Sequence, residues 1–212
     1  QIFDGMHNNF YFLRQLTDKL NQILPGFTLY ECFSQHKNEL LMGFAKAQGE
    51  LYLRASLNPD FSCLSFPKEF HRSKRNSVDL FADIRGFVVE KIFQLENERS
   101  FTINFSNGFV LLFKMHGNRS NILLFEQNGQ VRDLFRHKLI NDKQLSLEKL
   151  NRPIDHTFEN FEQNEFDYRA LYPTFDRSIR QYMEKSGYFQ LSPEEKWEFL
   201  QQLEQELGNS KF

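Results

Sequence analysis

The 212-residue chain is long enough for one large domain, or one domain and part of a second, and its 40% apolar content supports a packed core. Its formal net charge of -2 excludes a global pull toward nucleic acid, yet residues 1–158 hold 20 Lys and Arg against 17 Asp and Glu, and residues 159–212 hold 6 against 11. No run approaches the roughly 18 apolar residues needed to cross a bilayer, and no secretory pattern opens the chain, so no membrane contact and a cytoplasmic location are expected.

Phe10, Leu13, Leu16, Leu20, Ile23 and Leu24 recur at helical spacing, with Asn8 or Asn9 as N-cap and Pro25-Gly26 as stop, predicting a helix over about 9–24. The period then changes. Phe27 to Phe33, Glu39 to Ala45, Leu51 to Leu57 and Phe61 to Phe66 are short apolar runs separated by polar turns, which predicts a four-strand meander. Cys32 and Cys63 lie in these runs and read as buried free thiols of a reducing compartment. The 25 phenylalanines, against 7 Tyr and 1 Trp, suit sheet and sheet-helix cores.

A basic loop follows with His71, Arg72, Lys74 and Arg75, then Ser77 as cap of a short helix carrying Val78, Phe81, Ile84 and Arg85 up to Gly86. Phe87 to Leu95, Ser100 to Phe105, Phe109 to Met115, Asn121 to Glu126 and Val131 to Phe135 predict a second antiparallel sheet, with Asn107-Gly108 and Asn128-Gly129 as hairpin turns. From about 136 to 170 the periodicity fades, and a linker or irregular connection is expected, with a boundary near 160. A helix near 175–185 follows. Ser192-Pro193-Glu194-Glu195 then forms a capping box for a last helix bearing Trp197, Leu200, Leu203 and Leu207, with Gly208 as its stop. The fold class is α+β, with domains expected over 1–158 and 159–212.

The six histidines, His7, His36, His71, His116, His137 and His156, form no helical pair and no Cys-x-x-Cys accompanies them, so neither a metal nor another cofactor is expected. Nucleophile-elbow, Walker and dinucleotide-binding signatures are absent as well, and no catalytic residue is assigned. Three places remain for binding. Glu96-Asn97-Glu98-Arg99 sits between two strands and is either a solvated tip or an acid and guanidinium pair able to hydrogen-bond base edges and stack on an unpaired base. Arg72, Lys74 and Arg75, and separately Arg132, Arg136 and Lys138, can track phosphates or can be solvated faces. In His116-Gly117-Asn118-Arg119-Ser120-Asn121 the glycine permits positive φ or close approach, the amides can close the turn on its own backbone, and Arg119 projects a fork of donors.

Several of these segments, in order, resemble the N-terminal part of the NFACT proteins, the fibronectin-binding-protein-A-like group that includes the bacterial ribosome quality-control factor. Phe3-Asp4-Gly5 is similar to the family's opening before its first helix. Leu53 to Leu64 resembles its Leu-x-x-Ser-x-x-Pro-x-x-Ser-x-Leu region, and Met115 to Glu126 its Met-Gly-x-His-Ser-Asn-Leu-Ile-Leu-x-Asp segment. Glu98-Arg99 falls where the family has Asp-Arg, with Glu in place of Asp and Ser100 where a second Arg often follows. The likeness covers about 3–138, and Leu171 to Leu207 weakly resembles the family's following helix-hairpin-helix-type segment.

The resemblance implies a fold related to the N-terminal domain of formamidopyrimidine-DNA glycosylases, without glycosylase activity because the Pro-Glu start is missing. It implies a non-enzymatic module that binds tRNA and the large ribosomal subunit in rescue of stalled ribosomes. Glu98 and Arg99, with Asn97, become the expected tRNA readers. Arg72, Lys74, Arg75, Asn118, Arg119 and Asn121 are further nucleic-acid contacts. The alternative that the family's older name suggests is a surface adhesin binding fibronectin or fibrinogen.

Overall fold

The computed structural model describes residues 9–47 and 49–209; Phe3-Asp4-Gly5, His7 and Asn8 lie outside them. Helix α1 spans Phe10–Ile23 and is capped by Asn9, whose Oδ1 accepts the Tyr11 N–H at 2.8 Å. Its apolar stripe divides between two cores: Leu13, Leu20 and Leu24 enter the main one, while Phe10 and Tyr11 pack with the C-terminal helices.

Strands β1 (Thr28–Ser34), β2 (Glu39–Lys46), β3 (Gly49–Asn58), β4 (Phe61–Ser65) and β5 (Val78–Asp79) form an antiparallel sheet ordered β4-β3-β2-β1-β5. The predicted meander is therefore present, but the helix expected after Ser77 is not. Val78 and Asp79 pair with Ser34 and Phe33 of β1, the Leu80 N–H continues the pairing by donating to the Cys32 carbonyl at 2.9 Å, and only a 3-10 turn, Ala82–Ile84, follows. The unpaired edge of β1 offers tertiary hydrogen bonds that outweigh the local helical pattern.

The second sheet contains β6 (Val89–Gln94), β7 (Ser100–Phe105), β8 (Val110–Lys114), β9 (Asn121–Phe125) and β10 (Val131–Leu134) in the sequential order of a meander. Gly108 and Gly129 take φ of +81° and +79° at the two hairpin turns, as the Asn-Gly signals required. The sheets pack face to face around Leu29, Met42, Phe44, Leu53, Ile103 and Phe113. Phe101 and Phe113, opposite each other on β7 and β8, stack at 4.6 Å, a geometry worth about 0.5–1.5 kcal/mol beyond area burial. Both cysteines are free thiols, Cys32 buried and Cys63 half-buried.

The stretch after β10, expected to be irregular, is instead folded against the body. A 3-10 turn at Ile140–Gln144 and helix α2 (Leu147–Leu150) bring Leu145, Leu147 and Leu150 onto the outer face of the second sheet, over Leu112, Leu123 and Leu134. This cover explains why β8 and β9 are apolar on both faces. Short elements with mixed polarity carry too few turns for a helical period to register.

Helices α3 (Phe158–Gln163), α4 (Tyr168–Leu171), α5 (Arg177–Lys185) and α6 (Pro193–Asn209) build an aromatic cluster with Phe10 and Tyr11 of α1. The capping box at α6 forms as read: the Ser192 N–H donates to Glu195 at 2.8 Å and the Glu195 N–H donates to Ser192 Oγ at 3.3 Å. Gly208 does not stop the helix, which continues through Asn209.

His156, ahead of α3, ties to α6 through Glu204: its Nδ1 lies 3.5 Å from Glu204 Oε2, which also accepts the Tyr172 hydroxyl at 3.2 Å. The hydrogen bond to Glu204 raises the His156 pKa against the opposing effect of burial. A histidine pKa raised on folding contributes stability below the unfolded value of about 6.5 that is lost as pH rises through the higher folded value. The urea midpoint is expected to fall across the neutral to mildly alkaline range in the native chain and to be flatter there in His156→Gln. Parallel pH curves for the two proteins would remove this link.

Candidate nucleic-acid interface

The tip between β6 and β7 is a built turn. Asn97 takes φ of +54°, which asparagine tolerates better than most residues, and its Nδ2 donates to the Arg152 carbonyl at 2.7 Å. Asn151 Oδ1 accepts the Glu96 N–H at 2.7 Å, and the Arg152 N–H donates to the Glu96 carbonyl at 3.1 Å. Residues 151–152, just beyond α2, therefore clamp the tip from outside the sheet.

Glu98 is only 8% exposed and both its carboxylate oxygens are engaged: Oε1 lies 3.2 Å from Arg152 Nη2 and Oε2 lies 3.1 Å from His116 Nε2. Burial pushes its pKa upward, but the hydrogen bond and charge of His116, with Arg152 and Arg99, outweigh burial and hold the carboxyl below its ordinary value. Arg99 is exposed and, among the described residues, has no ion-pair partner. Glu98 thus ties the tip to His116 and Arg152, while Arg99, whose charge also acts on Glu98, keeps an exposed side chain. A cavity of about 390 Å³ opens here, lined by Asn97, Glu98, Arg99, His116, Arg152 and Phe175 among others.

His116 and Arg152 are the members of this cluster that sequence reading did not join to Glu98. His116 stood in a different motif, and Arg152 in a stretch expected to be a linker; neither spacing carries a signal of the contact. Phe175, half-buried before α5, supplies an aromatic surface in the same cavity.

The corner at 116–121 sits beside the tip, because the Met115 N–H donates to the Arg99 carbonyl at 2.9 Å. Its 3-10 turn, Gly117–Arg119, closes through backbone bonds from Arg119 to His116 and from Ser120 to Gly117. Gly117 is needed for its φ of +61° and not for close approach, since a Cβ there would meet nothing within 4 Å. Asn118 and Arg119 are exposed.

Asn121 is fully buried and offers no surface to a nucleic acid. Its Oδ1 accepts the N–H groups of Ile122 and Arg136 at 2.9 and 2.7 Å, and its Nδ2 donates to Asp142 Oδ2 at 2.8 Å. The other oxygen of Asp142 lies 2.5 Å from Lys114 Nζ. This conserves polar satisfaction inside the sheet, which is why an amide stands in an otherwise apolar strand.

Arg72, Lys74 and Arg75 are exposed, but Arg72 is spent internally: it pairs with Asp79 at 2.8 Å and covers the Phe33 ring at 4.4 Å. Lys74 and Arg75 form no ion pair among the described residues. No group of three or more His, Cys, Asp or Glu able to hold a metal occurs among the described residues, and no described helix is long and apolar enough to cross a membrane.

Two face-packed antiparallel sheets, a helical extension and a polar cavity lined by Glu98, Arg99, Arg152 and Asp176 make up an α+β architecture. The chain belongs to the NFACT family: the family described as NFACT N-terminal and middle domains matches residues 9–147. Among solved structures, it is similar to the N-terminal part of the fibronectin/fibrinogen-binding protein from Streptococcus suis, at 18% identity and a TM-score of 0.57 over 72% of this chain and 67% of that one. The fibrinogen binding protein from Staphylococcus aureus matches at 19% identity and a TM-score of 0.53, over 62% of this chain and 51% of that one. The N-terminal domain of fibronectin-binding protein PavA from Streptococcus pneumoniae matches at the same identity and TM-score, over 59% of this chain and 55% of that one. The chain therefore spans about half the length of the first two relatives' structures. No curated protein matches the sequence.

Proposed function

We propose that this chain is a non-catalytic, cytoplasmic module that binds tRNA and the large ribosomal subunit in stalled-ribosome rescue. The observation that carries it is the division of labour at the tip. Glu98 is consumed by His116 and Arg152, so that Arg99 stands exposed beside Arg152 and the Phe175 ring in one cavity. Guanidinium groups next to an aromatic face suit phosphates and an unpaired base, which is how RNA loops are recognised. Membership in the NFACT family supports the same reading. Lys74, Arg75, Asn118 and Arg119 remain as exposed accessory contacts.

In a cell lysate fractionated on a sucrose gradient, the protein is expected to migrate with free large subunits, and to leave them as salt is raised. Recovery only at the top of the gradient would contradict this. The solved neighbours described as fibronectin- or fibrinogen-binding favour a second reading, a surface adhesin. Recovery at the cell surface, with saturable binding of fibronectin or fibrinogen, would favour that one.

A further inference from the structure

A second cavity, of about 770 Å³, also reaches the 116–120 corner: Asn118 lines it, while His116 lines the first. Its walls come from the β1–β2 turn, the segment around β5 and residues 135–139. None of its described lining residues is acidic, whereas His36, Lys37, Arg136, His137 and Lys138 all contribute. Val78, Leu80 and Phe135 add an apolar wall, with Val78 62% exposed.

Arg136 explains why the charge here is not cancelled. Its guanidinium joins the two sheets by donating to the Ser120 carbonyl at 3.1 Å, to Asn38 Oδ1 at 2.9 Å and to the Leu57 carbonyl. All three acceptors are neutral, and no carboxylate pairs with Arg136 among the described residues. Burial accordingly lowers its pKa with no opposing ion pair. Of the nearby acids, Asp133 lies 3.8 Å from His137 and offsets that ring, which leaves Lys37, Arg136 and Lys138 as the groove's cations, while Asp79 pairs with Arg72 and Arg85. Lys37 and Lys138 are exposed and form no ion pair among the described residues.

We infer that this groove is a second binding site, for a single-stranded RNA segment whose phosphate is drawn to Lys37, Lys138 and Arg136 and whose base lies on the Val78, Leu80 and Phe135 wall. A half-buried, uncompensated cation in an acid-free concavity gains most from an anion that displaces little else. The adjoining wall suits a flat, partly apolar ring better than a free inorganic anion. A lipid surface would demand protruding apolar groups, and this site is concave. The inference rests on the RNA-binding reading but uses different residues, so the two fail separately.

The test is fluorescence anisotropy of a short labelled oligouridylate with the native chain, with Lys37→Gln/Lys138→Gln and with Arg99→Ala. The double variant replaces exposed side chains and is expected to keep its melting temperature. It is expected to bind about tenfold more weakly, with a salt slope shallower by about 1–2. Arg99→Ala is expected to lower tRNA binding, and the loss and shallower slope caused by the double lysine variant are expected to appear equally in the Arg99→Ala background. Unchanged affinity and slope in the double variant would overturn the groove as a site and leave the Arg99 reading standing. Binding to phosphatidylglycerol vesicles with none to RNA would overturn it in favour of a membrane surface.

Discussion

Replacing Lys114 by Met is expected to destabilise the fold by about 3–5 kcal/mol, the usual cost of removing one partner from a buried ion pair. The pair is nearly inaccessible, with side-chain exposures of 11% for Lys114 and 8% for Asp142, and the two groups lie 2.5 Å apart. Without the ammonium, the Asp142 carboxylate would keep, among the described residues, only the Asn121 amide as a side-chain donor, at 2.8 Å. The charge would then have to be protonated or the 3-10 turn at 140–144 pulled away from the sheet. Either route also loosens the cover that Leu145, Leu147 and Leu150 place over β8 and β9.

Removing both charges is a milder change. Lys114→Met with Asp142→Leu is expected to recover a large part of the loss, because no uncompensated charge remains. The recovery is incomplete, since the Asn121 Nδ2 would retain, among the described residues, only the Arg136 carbonyl at 3.4 Å. Urea denaturation of the native chain, both single variants and the double variant measures the coupling directly. A Lys114→Met cost below about 1 kcal/mol, the level typical of exposed pairs, would contradict the structural role given to this pair.

Much of the architecture is legible locally. Helix α1 shows its period and its Asn9 cap, the Asn-Gly pairs mark two turns of the second sheet, and the Ser192–Glu195 box marks α6. Each of these signals lies within a few residues of the element it specifies. The helix read after Ser77 fails for the opposite reason: a pairing edge supplied by β1 decides the conformation of Val78 and Asp79, and the local sequence carries no trace of it. The stretch from 136 to 170 is similar, because Leu145, Leu147 and Leu150 acquire a role only once the outer face of β8 and β9 exists.

The candidate site divides in the same way. Glu98-Arg99 is visible as a polar pair between strands, but the burial of Glu98 by His116 and Arg152 depends on chain segments that meet only in three dimensions. Asn121 illustrates the converse. A polar residue in a loop-like motif reads as a surface donor, yet its side chain completes a buried network with Asp142, Lys114 and the Arg136 backbone. Polarity in a corner shows that hydrogen bonds are required there without showing whether solvent, ligand or protein supplies them.

The functional consequence is that Arg99 can be removed with little effect on the fold. Its side chain is exposed and forms no ion pair among the described residues, whereas its carbonyl, which accepts the Met115 N–H at 2.9 Å, is retained in any variant. Loss of a guanidinium from a phosphate or base contact is worth about 1–3 kcal/mol, or roughly 5- to 150-fold in affinity. The most direct measurement is therefore the affinity of native and Arg99→Ala protein for deacylated tRNA at fixed salt, taken together with their melting temperatures. A loss of about tenfold or more in affinity, with an unchanged melting temperature, is the expected result. Equal affinities in two equally stable proteins would contradict a tRNA-reading role for the Glu98-Arg99 tip.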